Sequence, residues 1–365
     1  MLLFWLLAGL VALVAGAESL VRGASRLALR LGLTPLVVGL TVVAFGTSAP
    51  ELAVVVQADV SGQPGMALGN IVGSNIFNVL VVLGASALIT PLVVQRQLVR
   101  VDVPLLVGVS VVFWLMAADG FVGRLDGLLL TAGVFAYTFI AVRLGRRDMA
   151  GEATGRDAAP PDGRLRLVLY TAQMLVGLGL LVVGADWLVF GAAGIARAFN
   201  VSDAIIGLTI VAAGTSLPEV ATSIVAALRG ERDMAVGNVV GSGLFNLLAI
   251  GGLGALMSPT GLAVPDALTR FDLPVMVAVA AACLPIFAAG HRIGRWEGGL
   301  FLAYYAAYVA YLVMAATAHD ALPAFSGVMA GFVLPLTAVT LLVLWSRGRR
   351  RPASPAEWKV ADDAR

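Results

Sequence analysis

The chain reads as an all-α integral membrane protein, two inverted five-helix repeats forming a ten-helix core with an eleventh C-terminal helix. Three observations predict this. Of 365 residues, 59% are hydrophobic and 13% charged, with a mean hydropathy of +0.94, whereas a soluble domain carries about 25% charged residues. Apolar runs of about 20 residues, the length a helix needs to cross a bilayer, recur along the chain. They are interrupted by Gly and Pro and lack strand-period alternation, so helices rather than a closed barrel must satisfy the backbone in lipid. Finally, Gly46-Thr47-Ser48-Ala49-Pro50-Glu51 returns as Gly214-Thr215-Ser216-Leu217-Pro218-Glu219.

Taken in order, apolar runs at 2–30, 34–59, 66–91, 101–118 and 125–143 make a first repeat, residues 1–143. Residues 144–166, rich in Arg, Asp, Gly and Pro, read as a cytoplasmic linker. Runs at 167–197, 203–228, 234–258, 272–290 and 297–317 make the second repeat, residues 167–317. An extra helix at 323–345 precedes a cytoplasmic tail, 346–365, that opens with Arg347-Gly348-Arg349-Arg350-Arg351. No basic stretch precedes the first apolar run, which is expected to be a retained helix rather than a cleaved signal. The single Cys283 rules out an intramolecular disulfide framework and reads as core packing. His291 and His319 lie near helix ends and read as solvated loop residues.

Gly16–Pro91 aligns with Gly184–Pro259 without a gap, with 34 identities in 76 positions. The likeness persists in Asp102-Val103-Pro104 against Asp272-Leu273-Pro274, and in Gly123-Arg124-Leu125-Asp126-Gly127 against Gly294-Arg295-Trp296-Glu297-Gly298. Five helices per repeat is an odd number, so the second copy enters the membrane in the opposite sense, the architecture of many secondary transporters. With the N-terminus outside, only Arg124, Arg197 and Arg270 of the 24 Lys and Arg fall on the outer face. The positive-inside rule therefore predicts a multi-pass membrane protein with its N-terminus outside and C-terminus cytoplasmic; a prokaryotic inner membrane is the expected location.

Each repeated hexapeptide places a glutamate in an apolar run, at a cost of about 2.5–3.5 kcal/mol on insertion scales. Proline in a helix interior removes a hydrogen bond and crowds the carbonyl four residues back. Pro50 should free the carbonyl of Gly46 and disturb those around Ala44 and Thr47; Pro218 should act likewise around Ala212, Gly214 and Thr215. With the hydroxyls of Thr47, Ser48, Thr215 and Ser216, Glu51 and Glu219 make an all-oxygen cluster. Hard cations such as Ca²⁺ take six to eight oxygens, and two carboxylates match a divalent charge. The absence of His and Cys argues against Zn²⁺ or copper. Next in each repeat comes Gly69-Asn70-Ile71-Val72-Gly73-Ser74-Asn75-Ile76-Phe77-Asn78, or Gly237-Asn238-Val239-Val240-Gly241-Ser242-Gly243-Leu244-Phe245-Asn246. There Ser74 and Asn78, like Ser242 and Asn246, share a helix face. Gly69, Gly73, Gly237 and Gly241 are expected to allow close helix approach.

These paired motifs resemble the alpha repeats of the sodium/calcium exchangers within the cation/calcium antiporter superfamily, over ten of the eleven predicted helices. The resemblance implies antiport of Ca²⁺ against Na⁺ by alternating access, with no cofactor. It implies Glu51 and Glu219 as carboxylates shared by both ions. Thr47 and Thr215 would add carbonyl and hydroxyl ligands, and Ala44 and Ala212 their carbonyls. Ser74 and Ser242 would serve flanking Na⁺ sites, with Asn78 and Asn246 lining the centre. Potassium-dependent relatives carry an acid where this chain has Asn246, so two asparagines imply independence from K⁺. The long first and sixth helices resemble the family's moving pair, and the linker is too short for the folded calcium-binding domain of some relatives.

The alternatives are H⁺/Ca²⁺ exchange, a passive cation channel and a non-transporting scaffold. Neither a phosphate-binding loop nor Ser/His or Cys/His pairing suggests an enzyme, and the lipid bilayer rather than nucleic acid is the partner. Glu18 and Asp186, repeat-equivalent acids, read either as cation-pathway groups on sliding helices or, the favoured reading, as structural carboxylates, with Arg22 one turn beyond Glu18 as a candidate partner.

Overall fold

A computed structural model describes residues 1–62, 64–152, 164–199, 210 and 212–350. The first helix, α1 (Leu2–Leu31), stops at Gly32, which adopts the left-handed conformation (φ 63°). The next, α2 (Pro35–Val60), is started by Thr34, whose hydroxyl accepts from the Val37 N–H at 3.3 Å, with Pro35 in the first turn, where its missing N–H costs nothing. Then follow α3 (Gly65–Ile89), α4 (Leu98–Asp119) and α5 (Arg124–Glu152). The second repeat supplies α6 (Arg164–Ala198), α7 (Leu217–Leu228), α8 (Arg232–Met257), α9 (Leu268–Ala288) and α10 (Arg295–Ala316), and α11 (Leu322–Val343) closes the described chain. Among the described residues, ten helices are long and apolar enough to cross a membrane. The first part of the run expected at 203–228 lies outside the described residues, as do 153–163 of the linker and 351–365 of the tail.

Helical structure runs past two of the expected boundaries. The fifth helix continues to Glu152 and the sixth begins at Arg164, so both ends of the expected linker are helical. Arg, Met, Ala and Glu sustain a helix after apolarity has ended. For the same reason, the last helix carries on to Arg350.

Two-residue strands staple the repeats together. β1 (Leu92–Val93) pairs antiparallel with β4 (Arg292–Ile293), and β2 (Phe121–Val122) with β3 (Leu262–Ala263). Each pair joins one strand from each repeat. β1 and β4 lie in the α3–α4 and α9–α10 connections, β2 and β3 in the α4–α5 and α8–α9 connections. Alternate connections of the two halves thus meet at opposite ends of the bundle, as inversion requires.

The longest seam joins α1 and α6, antiparallel. Gly9 and Gly16 stand opposite Gly184 and Gly177, and Gly23 and Gly191, one heptad further on each helix, press against Tyr170 and Leu6. A Cβ on Gly177 would lie 2.5 Å from the Leu20 nitrogen, and one on Gly191 2.6 Å from the Leu6 nitrogen. Only glycine lets the two backbones approach this closely. At the centre, Gly237 and Gly241 of α8 press against the backbone of α2 at Leu36 and Leu40. The equivalent partners of Gly69 and Gly73, residues 204–208, are outside the described set.

Polar groups away from the centre are clasped. Asp102 of α4, fully buried, accepts from the Tyr137 hydroxyl at 3.4 Å; its counterpart Asp272 accepts from Tyr308 at 2.7 Å. Each acid ends a π-helical turn, Leu98–Asp102 or Leu268–Asp272, just before Pro104 or Pro274. Glu18 bridges Arg22 at 2.5 Å and also Arg229 at the end of α7, while Asp186 is exposed on α6. His291 corrects the sequence expectation: it is half-buried, its carbonyl accepts from the Val94 N–H at 2.8 Å, and burial lowers its imidazole below the usual histidine range. His319 is exposed, as expected. Cys283 is buried, its thiol facing the Val279 carbonyl at 3.6 Å.

Candidate cation site

Both hexapeptides break their helices. The first half of α2 ends at Thr47, Ser48 leaves helical geometry (φ −83°, ψ 7°), and a new helix starts at Ala49. Ser216 does the same (φ −92°, ψ 7°) ahead of α7. Pro50 and Pro218 occupy the first turns of the new half-helices, where a missing N–H is tolerated. Glu51 and Glu219 follow in those same turns, at helix N-termini whose dipoles favour negative charge. Both are fully buried. Pro50 offers no N–H to the Gly46 carbonyl, but the Ser48 N–H turns towards it. The Ala44 carbonyl is not freed: it accepts from the Ser48 N–H at 3.1 Å and faces the Thr47 hydroxyl at 3.4 Å. In the second repeat, Ser216 N–H reaches back to Ala213 at 3.2 Å. Ala212 opens the preceding helical turn, Ala212–Gly214.

Each carboxylate is served by the other repeat. Ser216 donates to Glu51 Oε1 at 3.0 Å, and Ser48 donates to Glu219 Oε1 at 3.2 Å. Ser216 Oγ also lies 3.3 Å from Ser74 Oγ. Thr47 donates to Asn238 Oδ1 at 3.2 Å, and Thr215 to Asn70 Oδ1 at 3.4 Å. The carboxylate and threonine pairings have their mates under the pseudo-twofold relation, whereas the Ser216–Ser74 contact has none, Ser242 being without a partner.

Several residues of the two motifs keep buried polar atoms without a protein partner. The second carboxylate oxygens, Glu51 Oε2 and Glu219 Oε2, have no protein partner, nor do both amide atoms of Asn78 and of Asn246, nor the Ser242 hydroxyl. Buried polar atoms are normally paired, so a carboxylate oxygen left unpartnered beside each helix break is consistent with a place for a polar guest. Asn78 and Asn246 are fully buried and each begins a π-helical turn, Asn78–Leu83 and Asn246–Ile250. Such turns concentrate at functional sites. Oxygen dominates the donor set, and no group of three or more His, Cys, Asp or Glu occurs among the described residues. That chemistry suits a hard cation.

Of the residues picked out by sequence, the structure links Thr47, Ser48, Glu51, Ser74, Thr215, Ser216 and Glu219 by hydrogen bonds. Asn78, Ser242 and Asn246 stand on α3 and α8, buried with their polar groups unspent. Sequence reasoning missed Asn70 and Asn238. The signal was there, since Asn70, Ser74 and Asn78 recur every four residues and so share one face.

The two sides of this cluster differ in exposure. Thr47 and Asn238 are fully buried, whereas Thr215 and Asn70, towards the β2–β3 end, are half-buried.

A model of the "Sodium/calcium exchanger protein" family matches residues 1–143 and 169–314. The putative antiporter CaxA of Alkalimonas amylolytica is 38% identical, covering 73% of this chain and 84% of its own. The sodium/calcium exchanger MaX1 of Methanosarcina acetivorans is 31% identical, covering 74% and 87% respectively. Among solved structures, the sodium-calcium exchanger NCX_Mj, soaked with zero Na⁺ and Ca²⁺, superposes with a TM-score of 0.73 at 33% identity, over 85% of this chain and 98% of that one. With broken helices, inverted repeats and family match in agreement, the chain is a multi-pass membrane protein of the sodium/calcium exchanger family.

Proposed function

We propose that the chain is a secondary-active antiporter that exchanges Ca²⁺ for Na⁺ at the Glu51–Glu219 centre by alternating access. The observation that carries this reading is the reciprocal pairing of two buried carboxylates, each holding a hydroxyl from the opposite repeat on one oxygen and keeping the other unpartnered. Two carboxylates balance one Ca²⁺, and the surrounding hydroxyls and amides can complete the six to eight oxygens it takes. Na⁺ would use subsets of the same oxygens, so one ion's occupancy disfavours the other's.

Exchange rather than leak follows from charge. Two buried carboxylates without a cation repel one another and lack compensation, so the empty site resists reorganisation within the membrane. The glycine seam joining α1 to α6 would make them one rigid unit that shifts against the core. Leu178 and Val189 of α6 meet that core at Gly46 and Gly214. The half-buried Thr215–Asn70 side would be the open entrance in this state, and the positive-inside distribution assigns it to the outer face.

The test is ⁴⁵Ca²⁺ uptake into proteoliposomes holding wild type, Glu51→Gln or Glu219→Gln under an outward Na⁺ gradient, an outward H⁺ gradient, or neither. Na⁺-driven uptake lost in both variants is the expected outcome. Uptake driven by H⁺ alone replaces this reading with H⁺/Ca²⁺ exchange, and gradient-independent flux replaces it with a channel.

A further inference from the structure

We propose that Ser223 is a positioning residue for cation binding, acting through Asn238 on the Thr47 hydroxyl, and that it makes the two flanking halves of the centre unequal. This inference rests on the exchange reading above. Ser223 lies one turn beyond Glu219 on α7 and is fully buried. The Asn238 amide N–H donates to Ser223 Oγ at 2.9 Å, and the Ser223 hydroxyl points to the Ala235 carbonyl at 3.5 Å. With its N–H held there, Asn238 turns its carbonyl oxygen to Thr47, which donates to it at 3.2 Å. That acceptor is nearer than the Ala44 carbonyl at 3.4 Å.

The relay therefore runs one way: Thr47 to Asn238, Asn238 to Ser223, Ser223 to the backbone. Every hydrogen is directed away from the glutamates. The direction matters because Thr47 adjoins Ser48, whose hydroxyl donates to Glu219 Oε1 at 3.2 Å. A hydroxyl that spends its hydrogen on Glu219 occupies a carboxylate lone pair and cannot readily share a cation with it. One that spends it on Asn238 offers its oxygen, beside the carboxylate oxygens, to the ion.

The first repeat lacks this device. The position equivalent to Ser223 is Val55, and the Asn70 amide turns instead to the Glu51 backbone carbonyl at 3.4 Å. Thr215 meets Asn70 at 3.4 Å, and both residues are half-buried. The Thr47 oxygen is thus held by a shorter, fully buried relay, whereas Thr215 is held through longer contacts between half-buried groups.

The experiment compares wild type with Ser223→Val, Ser223→Ala and Ser223→Thr. Half-saturating Na⁺ and maximal rate are read from Na⁺-driven ⁴⁵Ca²⁺ uptake, and equilibrium Ca²⁺ affinity from calorimetry on the purified proteins. Ser223→Val and Ser223→Ala should raise half-saturating Na⁺ and weaken Ca²⁺ binding by about tenfold, the scale of one hydrogen bond, with maximal rate within about twofold. Ser223→Thr, which keeps the hydroxyl, should restore both. Unchanged affinities in Ser223→Val, or a Ser223→Thr as impaired as Ser223→Val, would overturn the proposal. A wild type without Na⁺-driven uptake would instead overturn Na⁺ coupling, and calorimetry would still decide the role of Ser223.

Discussion

The α1–α6 seam makes a quantitative prediction. In Gly184→Ala, the new Cβ would sit 2.7 Å from the Leu13 nitrogen and 3.0 Å from the Gly9 carbonyl oxygen. Comfortable carbon contacts lie at about 3.5–4.0 Å, so the helices must part by about 1 Å at that point. Overpacking of this kind costs about 1–3 kcal/mol. Replacing a helix-interior glycine by alanine contributes about 1 kcal/mol in the opposite direction. The net expectation is a loss of about 1–2 kcal/mol, the upper part of that range applying because the obstacle is backbone, which cannot rotate aside. Gly179 is the control: on the same helix, exposed and with nothing within 4 Å of an added Cβ. Gly179→Ala should therefore keep or gain stability. The assay is the midpoint temperature at which each detergent-solubilised variant loses its monodisperse peak in size-exclusion chromatography, paired with exchange flux. Gly184→Ala should melt earlier and exchange more slowly than Gly179→Ala. Identical midpoints would refute the claim that the glycines permit a backbone contact the pair depends on.

Other expectations follow from the same geometry. Ser216→Ala and Ser48→Ala each remove a cross-repeat donor to a buried carboxylate, and each should weaken Ca²⁺ binding by about ten- to a hundredfold in calorimetric titration; an effect confined to one of them would contradict the pseudo-symmetric site. Phe121 and Ala263 are directly paired across strands, at a Cα separation of about 4.5–5.5 Å that a disulfide can span. Phe121→Cys with Ala263→Cys, in a Cys283→Ser background, should cross-link on oxidation. Singly substituted Phe121→Cys and Arg292→Cys should react with a membrane-impermeant maleimide from opposite sides; labelling from one side would overturn the inverted topology. Tyr137→Phe strips the donor from the fully buried Asp102 and should lower stability by about 1–3 kcal/mol, whereas Tyr308→Phe should cost less because Asp272 is only half-buried. Thermal midpoints of the two variants check the order.

Much of this molecule was readable from its residues because membranes punish exceptions. Two glutamates, two prolines and paired asparagines stand out against apolar runs, and duplication of Pro50-Glu51 as Pro218-Glu219 separates design from accident. The helix breaks at Ser48 and Ser216 follow directly from where proline cannot donate. What stayed hidden was relational. That Ser48 serves Glu219 and Ser216 serves Glu51, instead of each serving its own repeat, depends on how the halves interlock. Asn70 and Asn238 drew no notice because an asparagine on a glycine-rich helix ordinarily makes a packing hydrogen bond. The strand staples are two residues long, too short to leave a period. Helix ends at Glu152 and Arg350 escaped because apolarity reports where lipid ends and not where the backbone uncoils.

The exchange of hydroxyls between repeats also bears on biogenesis. Chains enter the membrane from the N-terminus onward, and the donor to Glu51 lies 165 residues further along. While the first five helices are in the bilayer alone, Glu51 has none of its partners from the second repeat, and a carboxylate so placed favours water near α2 over tight closure. Completion of α7 and α8 supplies both missing halves at once, since Glu219 arrives with its own need for Ser48. A chain interrupted midway therefore holds one acid and an unfinished coordination shell. On the proposed exchange reading, neither half alone would then be expected to work as a carrier.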